Sequence, residues 1–360
     1  MEKCLILANS SSGVYDFRRE LIQKLISKGY SVSVANPDQD KTAELKEIGC
    51  TNITTAMDRR GLNPLHDLGL VLQYKKLLKA EKPDLVITYT IKPNIYGGLV
   101  CRFSKITYAT NITGLGTAFE KEGLLKRLVT KMYKSALKQA KIVFFENSAN
   151  RDLFVNLDIV KKEGTKVLNG AGVNLEYYNY VDYPENNEPF YFLFIGRLMK
   201  EKGVDELFAA MKRIINEKQN VRLIVLGRYE EGYEEQVKQY QEEGWLEYYG
   251  YQSDVRPYIA KAHCFVLPSY HEGMANTNLE CAASGRPIIT SDIPGCREAV
   301  SEDSGILCKP KDEHSLYLAM KQMLETEYVD RKAMGMCGRK HMEEVFDKRR
   351  VVKETIDCLR

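Results

Sequence analysis

One pattern constrains this chain more than any other feature, and it is written twice: a short apolar run, a turn, a longer stretch of helical spacing, then another apolar run. In the first half the runs stand at Cys4 to Ala8, Ser31 to Ala35, Asn52 to Ala56, Asp84 to Tyr89, Tyr108 to Ile112 and Ile142 to Glu146. Between them Leu21, Leu25 and Ile26 mark the buried side of one helix, and Leu68, Leu72, Leu77 and Leu78 that of another. Strands apolar on both faces, alternating with helices, predict a parallel sheet covered on both sides. From Asn174 to Pro189 neither periodicity holds and two prolines intervene. The series then resumes at Tyr191 to Ile195, Arg222 to Leu226, Leu246 to Tyr249, Cys264 to Leu267, Pro287 to Thr290 and Gly305 to Cys308.

At 360 residues the chain exceeds what a single core usually serves, which agrees with two series. The expected fold class is therefore α/β, with two Rossmann-like domains facing a cleft. The expected boundaries are 1–173 for the first, 174–189 for a linker and 190–340 for the second, with a helical segment at 341–360 packing back on the first. Open α/β sheets take ligands at the carboxyl ends of their strands, so the strand-to-helix loops are where function should lie.

Composition removes several classes. Hydrophobic residues at 44% and charged residues at 28% suit a globular protein. No apolar run approaches the roughly 18 to 20 residues of a membrane span. The apolar stretch near the start is too short for a signal peptide, so a cytoplasmic location is expected. The nine cysteines are widely spaced and several lie inside apolar runs, which predicts reduced core thiols rather than a disulfide framework or zinc site. Net charge is +3, but residues 1–180 carry 27 Lys and Arg against 18 Asp and Glu, a net +9, and the remainder 25 against 31, a net −6. A basic first half could attract nucleic acid, an anionic membrane or a phosphorylated substrate.

Three loops carry chemistry. Ser269-Tyr-His-Glu-Gly-Met-Ala-Asn-Thr-Asn-Leu-Glu280 follows an apolar run and opens a helix. Even on one helix Glu272 and Glu280 would be about 12 Å apart, too far for a carboxylate dyad but suited to two contacts on one elongated ligand. Between them the backbone amides of Gly273, Met274, Ala275 and Asn276 would point off the helix start, where a phosphate is the natural ligand, and Asn276 and Thr277 could cap the helix or bind an anion. The second loop, Gly196-Arg-Leu-Met-Lys-Glu-Lys-Gly203, again follows a strand and places Arg197 and Lys202 where two cations would stabilise a departing diphosphate. The third, Asn9-Ser-Ser-Ser-Gly13, precedes a helix expected to open near Tyr15; its single glycine does not make a dinucleotide fingerprint, but Gly13 could meet one phosphate or a sugar.

Taken together, these loops resemble the retaining nucleotide-sugar glycosyltransferases of family four, which have the GT-B architecture of two Rossmann-like lobes. The resemblance covers nearly the whole length, through the Gly13 loop, Asn169-Gly-Ala-Gly-Val-Asn174, the Arg197 loop, Pro268-Ser-Tyr-His-Glu-Gly273 and Leu279-Glu-Cys-Ala-Ala-Ser-Gly-Arg-Pro287. It implies that the first domain binds the acceptor and the second the nucleotide sugar. It further implies that Glu272 lies by the donor sugar and reacting centre, that Glu280 binds the ribose, that Arg197 and Lys202 hold the donor diphosphate, and that the base sits near Gly250-Tyr251, uridine being the commonest. Asp58-Arg-Arg-Gly-Leu-Asn-Pro64, Thr88-Tyr-Thr-Ile-Lys-Pro-Asn-Ile-Tyr-Gly97 and Asn111-Ile-Thr-Gly-Leu-Gly-Thr-Ala-Phe119 are similar to bacterial enzymes that extend sugars on polyprenyl diphosphate for capsule, exopolysaccharide or N-glycan precursors. By that resemblance Arg59, Arg60 and Lys92 contact acceptor phosphates. The family often places a histidine near the donor sugar in the first lobe. Here the first half holds only His66, in a loop before a helix, leaving Asn111, Thr113 or Lys92 for that region. The resemblance then implies front-face transfer, with the leaving diphosphate oxygen taking the acceptor proton.

Two further signals are double-edged. Asp38-Gln-Asp40 resembles a metal-binding Asp-x-Asp but also stands where aspartates cap a helix; no metal and no cofactor are expected. Residues 121 to 141 hold seven Lys and Arg against Glu122, with Leu124, Leu125, Leu128, Val129, Met132, Tyr133, Ala136 and Leu137 at helical spacing. Such a helix packs its apolar side on the core, and it could also rest peripherally on an anionic membrane. No nucleic-acid motif accompanies the charge. Two other readings compete with sugar transfer: a nucleotide-sugar epimerase on the same fold, and a non-catalytic nucleotide-sugar-binding subunit.

Overall fold

The computed structural model describes residues 1–57, 64–116, 119, 123–185, 189–217 and 220–359. They form two compact units, one of residues 1–171 with 349–360 and one of residues 172–348. Each is a doubly wound α/β unit on a single parallel sheet.

In the first unit the chain runs β1 (Lys3–Leu7), α1 (Ser11–Ser27), β2 (Ser31–Asn36), α2 (Thr42–Glu47), β3 (Thr51–Thr54), α3 (Pro64–Glu81), β4 (Leu85–Tyr89), α4 (Gly98–Ser104), β5 (Thr107–Ile112), α5 (Leu124–Leu137), β6 (Ile142–Phe145), α6 (Ser148–Asn156) and β7 (Thr165–Val167). Strand order is β3-β2-β1-β4-β5-β6-β7. Alternation along β1 explains the two helical layers. Cys4 and Ile6 bury against α1, whereas Leu5 and Leu7 bury against α3 and α4. Burying each such side chain is worth about 1.5–3 kcal/mol, and both faces of β1 are covered.

The second unit runs β8 (Phe190–Ile195), α7 (Val204–Asn216), β9 (Val221–Leu226), α8 (Glu234–Glu242), β10 (Leu246–Tyr248), α9 (Arg256–Lys261), β11 (Cys264–Leu267), α10 (Asn276–Ala283), β12 (Ile288–Ser291), β13 (Gly305–Cys308), α11 (Glu313–Glu325) and α12 (Tyr328–Val345). Its strand order, β10-β9-β8-β11-β12-β13, reverses between β8 and β11. In the first unit the reversal falls between β1 and β4. Both reversals matter because ligands of such sheets settle at them.

Several expected boundaries move. The stretch 174–189 lies within the second unit, its backbone strapped there by buried Arg286, which donates to the carbonyls of Val181 at 3.1 Å and Asp182 at 2.9 Å, and by Arg339, which donates to Tyr178 O at 2.9 Å. The segment 341–360 is split. α12 ends at Val345, Phe346 and Lys348 bond the backbone of Val173, and α13 (Lys348–Leu359) then buries Val351, Ile356 and Leu359 in the core of the first unit. Helix α1 begins at Ser11 rather than near Tyr15, because Ser10 caps it and the Asp38 carboxylate accepts both the amide and the hydroxyl of Ser11. Strand β7, three residues long, carries no pattern that sequence alone would reveal. All nine cysteines are free thiols and seven are buried; burial pushes Cys4, Cys50 and Cys101 up to about 12. No helix among the described residues is long and apolar enough to cross a membrane.

Candidate functional site

The strongest constellation lies in the second unit, in the loops that leave β8 and β11 at the reversal of strand order. After β8 the chain turns through a short 3₁₀ segment, Lys200–Lys202, and starts α7 from Gly203. Gly203 has φ +72°, and a Cβ there would stand 2.2 Å from the carbonyl oxygen of Pro268, so glycine is what lets the two loops touch. Two further bonds hold them together. The Tyr270 amide donates to Glu201 O at 2.9 Å, and the Tyr270 hydroxyl donates to Glu206 of α7 at 2.7 Å.

The contact brings Lys202 to Glu272. The Lys202 ammonium donates to Glu272 Oε1, and the hydroxyl of fully buried Ser269 donates to the same oxygen at 2.8 Å. The side chains of Lys202 and Glu272 are only 20% and 14% exposed, so their attraction is weakly screened. Among the described residues no three His, Cys, Asp or Glu are placed to hold a metal.

Arg197 is engaged elsewhere. Its guanidinium meets Glu230, beyond β9, at 3.3 Å, and both side chains reach solvent. Tyr251 lies half-exposed after β10, with the Arg228 guanidinium 4.6 Å from its ring centroid. The site therefore spans the ends of β8, β9, β10 and β11.

Glu272 and Glu280 do not share a helix. Glu272 belongs to the loop and Glu280 to α10. Gly273, Met274 and Ala275 are buried, and Ala275 is not the free amide expected, since it donates to Gly295 O at 2.8 Å. The cause is a tight approach: Gly295 has φ +87°, and a Cβ on it would come within 2.7 Å of the Glu272 and Gly273 carbonyls. Asn276 and Thr277, half-buried, open α10, and Asn276 Oδ1 is buried without a partner. Glu280 shares a hydrogen bond with the Tyr178 hydroxyl; burial first, and that carboxylate second, push the Tyr178 phenol well above its ordinary range. Sequence reasoning missed Ser269 and Tyr178. Ser269 could have been read from its place three residues before Glu272, but Tyr178 stands about a hundred residues from its partner and gave no signal.

In the first unit the carboxyl edge is built differently. Arg59 and Arg60 lie outside the described residues. The Lys92 ammonium is held at 2.7 Å by Asp67 of α3, whose other oxygen accepts from the Tyr96 hydroxyl at 2.8 Å; burial and that carboxylate push Tyr96 up. With Lys92 and Asp67 each 13% exposed, this is an internal tie between α3 and the π-helical turn Pro93–Gly97, a role the lone-cation reading did not foresee. Gly13 lies inside the first turn of α1, its amide 3.4 Å from Ser10 Oγ, so no glycine loop precedes the helix. His66 is exposed on the first turn of α3. Asn111 is buried at the end of β5, where its carbonyl accepts from Asn94 Nδ2 at 2.8 Å and its own Nδ2 has no partner; Thr113 is half-buried just beyond. Next to Asn111 in register is Tyr89, against which Arg18 stacks at 4.8 Å while donating to Glu146 at 2.7 Å. Thr90, next along, is held at φ +71°, a conformation costing a β-branched residue about 1–3 kcal/mol.

Comparison with known proteins agrees with the two-unit division. Residues 181–341 match the family model for glycosyl transferases group 1, and residues 3–147 match that for glycosyl transferase 4-like proteins. The chain is 28% identical over 339 residues, 89% of each chain, to the N,N'-diacetylbacillosaminyl-diphospho-undecaprenol alpha-1,3-N-acetylgalactosaminyltransferase of Campylobacter jejuni. It is 25% identical over 299 residues, 81% of this chain and 80% of the other, to the same organism's N-acetylgalactosamine-N,N'-diacetylbacillosaminyl-diphospho-undecaprenol 4-alpha-N-acetylgalactosaminyltransferase. Among solved structures, Anabaena HepE in complex with UDP and glucose superposes with a TM-score of 0.82 at 16% identity, over 100% of this chain and 99% of the other.

Proposed function

The chain belongs to the GT-B glycosyltransferases, and from that premise we propose that it is a retaining, metal-independent enzyme that moves a hexose or N-acetylhexosamine from a nucleotide sugar, UDP-linked, to a saccharide carried on polyprenyl diphosphate. The observation that carries this reading is the meeting of Lys202 and Glu272 across the strand-order reversal of the second sheet. The two Campylobacter relatives, whose names specify undecaprenyl-diphosphate-linked acceptors, and the UDP-bound Anabaena structure support the choice of acceptor and donor.

On this reading the donor's diphosphate exchanges with Glu272 as the partner of Lys202, a charge-assisted contact replacing another. Arg197 leaves Glu230 to take a second phosphate oxygen. Tyr251 lies along the base, Glu280 takes the ribose hydroxyls, and Asn276 and Thr277 meet the diphosphate from the start of α10. Glu272, once released, faces the carbon whose bond to the diphosphate oxygen breaks, where its negative charge favours the developing cation. The acceptor hydroxyl attacks from the same face, and its proton passes to the departing diphosphate oxygen, so no side chain need act as base. The acceptor sugar lies in the first unit by Asn111 and Thr113. A lipid-linked acceptor would also bring the enzyme to the inner face of the plasma membrane as a peripheral protein.

The test is direct. Purified protein is incubated with a panel of nucleotide sugars and a polyprenyl-diphosphate saccharide, and the product is read by mass and by the configuration of its new linkage. Transfer with retained configuration, undiminished by a chelator, is expected. Failure to transfer or hydrolyse any donor overturns the reading. Inversion removes the front-face path, and chelator sensitivity removes metal independence.

A further inference from the structure

Glu280 stands on α10, and two segments remote from it in sequence converge beside it. The first is the strap at 174–182. Its turn is set locally: Asn174 Oδ1 accepts from the amides of Glu176 at 3.1 Å and Tyr177 at 3.0 Å, and the Tyr178 amide donates to Asn174 O at 2.8 Å. The strap is then pinned to α10 itself, because one nitrogen of Arg339 donates both to Tyr178 O and to Ala283 O, each at 2.9 Å, and Ala283 lies one helical turn beyond Glu280. The second segment is the loop between Tyr251 and α9. There Asp254 accepts the Arg256 guanidinium through both carboxylate oxygens, each at 2.8 Å, and the Arg256 amide at 3.1 Å. This fork sets the guanidinium 4.1 Å from the centroid of the Tyr177 ring, and that ring meets the ring of Tyr178 edge-on at 5.0 Å. Tyr178 in turn shares its hydrogen bond with Glu280. Asp254 and Arg256 are 41% and 43% exposed, and an ion pair so exposed adds little to the stability of the unit. What it fixes is the place of the guanidinium against Tyr177.

We propose that Arg256 is a positioning residue for the nucleotide donor: through the rings of Tyr177 and Tyr178 it holds the Glu280 carboxylate in the orientation that takes the ribose hydroxyls, and so joins the loop after Tyr251 to the ribose site. This deepens the proposed function and rests on its assignment of Glu280 to ribose. A carboxylate that turns freely must be ordered when the diol arrives, whereas one engaged on a single side by the Tyr178 hydroxyl has its remaining lone pairs already aimed. The effect therefore falls on donor binding rather than turnover, and only on ligands that carry the ribose hydroxyls.

The experiment is calorimetric titration of the full chain with UDP and with 2′,3′-dideoxy-UDP, which lacks both ribose hydroxyls. The parent should bind UDP on the order of tenfold or more tighter than the dideoxy nucleotide. Arg256→Gln should weaken UDP about three- to tenfold, the cost of ordering a side chain on binding, and leave dideoxy-UDP unchanged. Its thermal melts, and its kcat at saturating donor, should match the parent's. Tyr177→Ala should reproduce the loss, and Tyr177→Phe, which keeps the ring, should bind as the parent does. Adding Arg256→Gln to Tyr178→Phe should cost nothing more, since both act on one carboxylate. The inference is overturned if Arg256→Gln binds UDP as the parent does, if it weakens both nucleotides alike, as a merely structural loss would, or if its loss and that of Tyr178→Phe add. Any of these in a protein whose parent still prefers UDP leaves the donor reading standing. A parent that binds the two nucleotides equally overturns the assignment of Glu280 to ribose, and this inference with it.

Discussion

The two sheets end in loops of opposite temper. At the carboxyl edge of the second sheet, Lys202 pairs with a carboxylate from a loop nearly seventy residues away, across the strand reversal, and Arg197 pairs at the surface with Glu230. Both cations are held by single carboxylates that an arriving anion can replace. At the edge of the first sheet, Lys92 is fixed by Asp67, which is fixed again by Tyr96, and Arg18 is spent between Glu146 and the face of Tyr89. Each of those cations also has one carboxylate partner, but the pairs are more deeply buried and tie elements within the unit together, and the polar groups beside them, such as Asn111, are neutral. On the proposed function, one edge would exchange its carboxylates for a diphosphate and the other would receive the hydroxyls of a sugar.

The sharpest way to break this contrast is to remove one lysine from each edge. Lys202→Ala should lower kcat on the order of a hundred- to a thousandfold, because a preorganised charge facing a leaving group is lost. Lys92→Met should instead destabilise the fold by about 1–3 kcal/mol, leaving the Asp67 carboxylate with the Tyr96 hydroxyl but no counter-charge, with kcat of the folded fraction within a few-fold of the parent. Steady-state kinetics beside thermal melts decide it. A Lys92→Met protein that melts normally but has a raised KM for acceptor would return Lys92 to the phosphate-binding role that its sequence resemblance implied.

Within the second unit, Ser269 and Tyr178 offer a finer test. Ser269→Ala should lower kcat by about tenfold with little change in donor KM, since Glu272 loses the hydroxyl that orients it. Tyr178→Phe should raise donor KM by a few-fold through Glu280 and leave kcat nearly unchanged. The expected split is kcat for one and KM for the other. Equal effects on both quantities in both variants would mean that the two glutamates have been given the wrong roles.

Much of this was legible beforehand, for identifiable reasons. Strands buried on both faces are short, nearly continuous apolar runs, and β11 and β13 fall on the residues expected, while most others lie within about a residue of them. The loops bearing Glu272 and Lys202 could be read because strand ends are where such sheets bind ligands. Their mutual contact could not be read, because it depends on Gly203 letting the backbone of one loop reach Pro268 in the other. The amides after Glu272 were misjudged for a similar reason, since Gly295 lies some twenty residues on and alone decides that Ala275 has a partner. Lys92 looked like a free loop cation because its partner, Asp67, precedes it by a whole helix and strand. Local pattern reveals elements and loops, and the pairing of charges between loops belongs to the tertiary structure.

One more expected effect concerns pH and sits away from both edges. His263, just before β11, stacks on Phe190 with centroids 4.7 Å apart, and its Nδ1 accepts from the Tyr191 amide at 3.1 Å. Its Nε2 therefore carries the proton and faces Glu185 O at 3.3 Å. Burial lowers this imidazole from 6.5 to about 4, so the folded protein keeps it neutral where the unfolded chain would already be protonated. The sign follows. Its contribution is intact above about pH 6.5 and is lost progressively as pH falls toward 4, to an upper bound of about 3 kcal/mol. Melting the parent and His263→Gln from pH 7 down to pH 4 should show the parent losing stability more steeply, with the two curves converging at the acid end. Parallel curves would mean that His263 titrates alike in both states, and the acid sensitivity of this unit would have to come from its carboxylates.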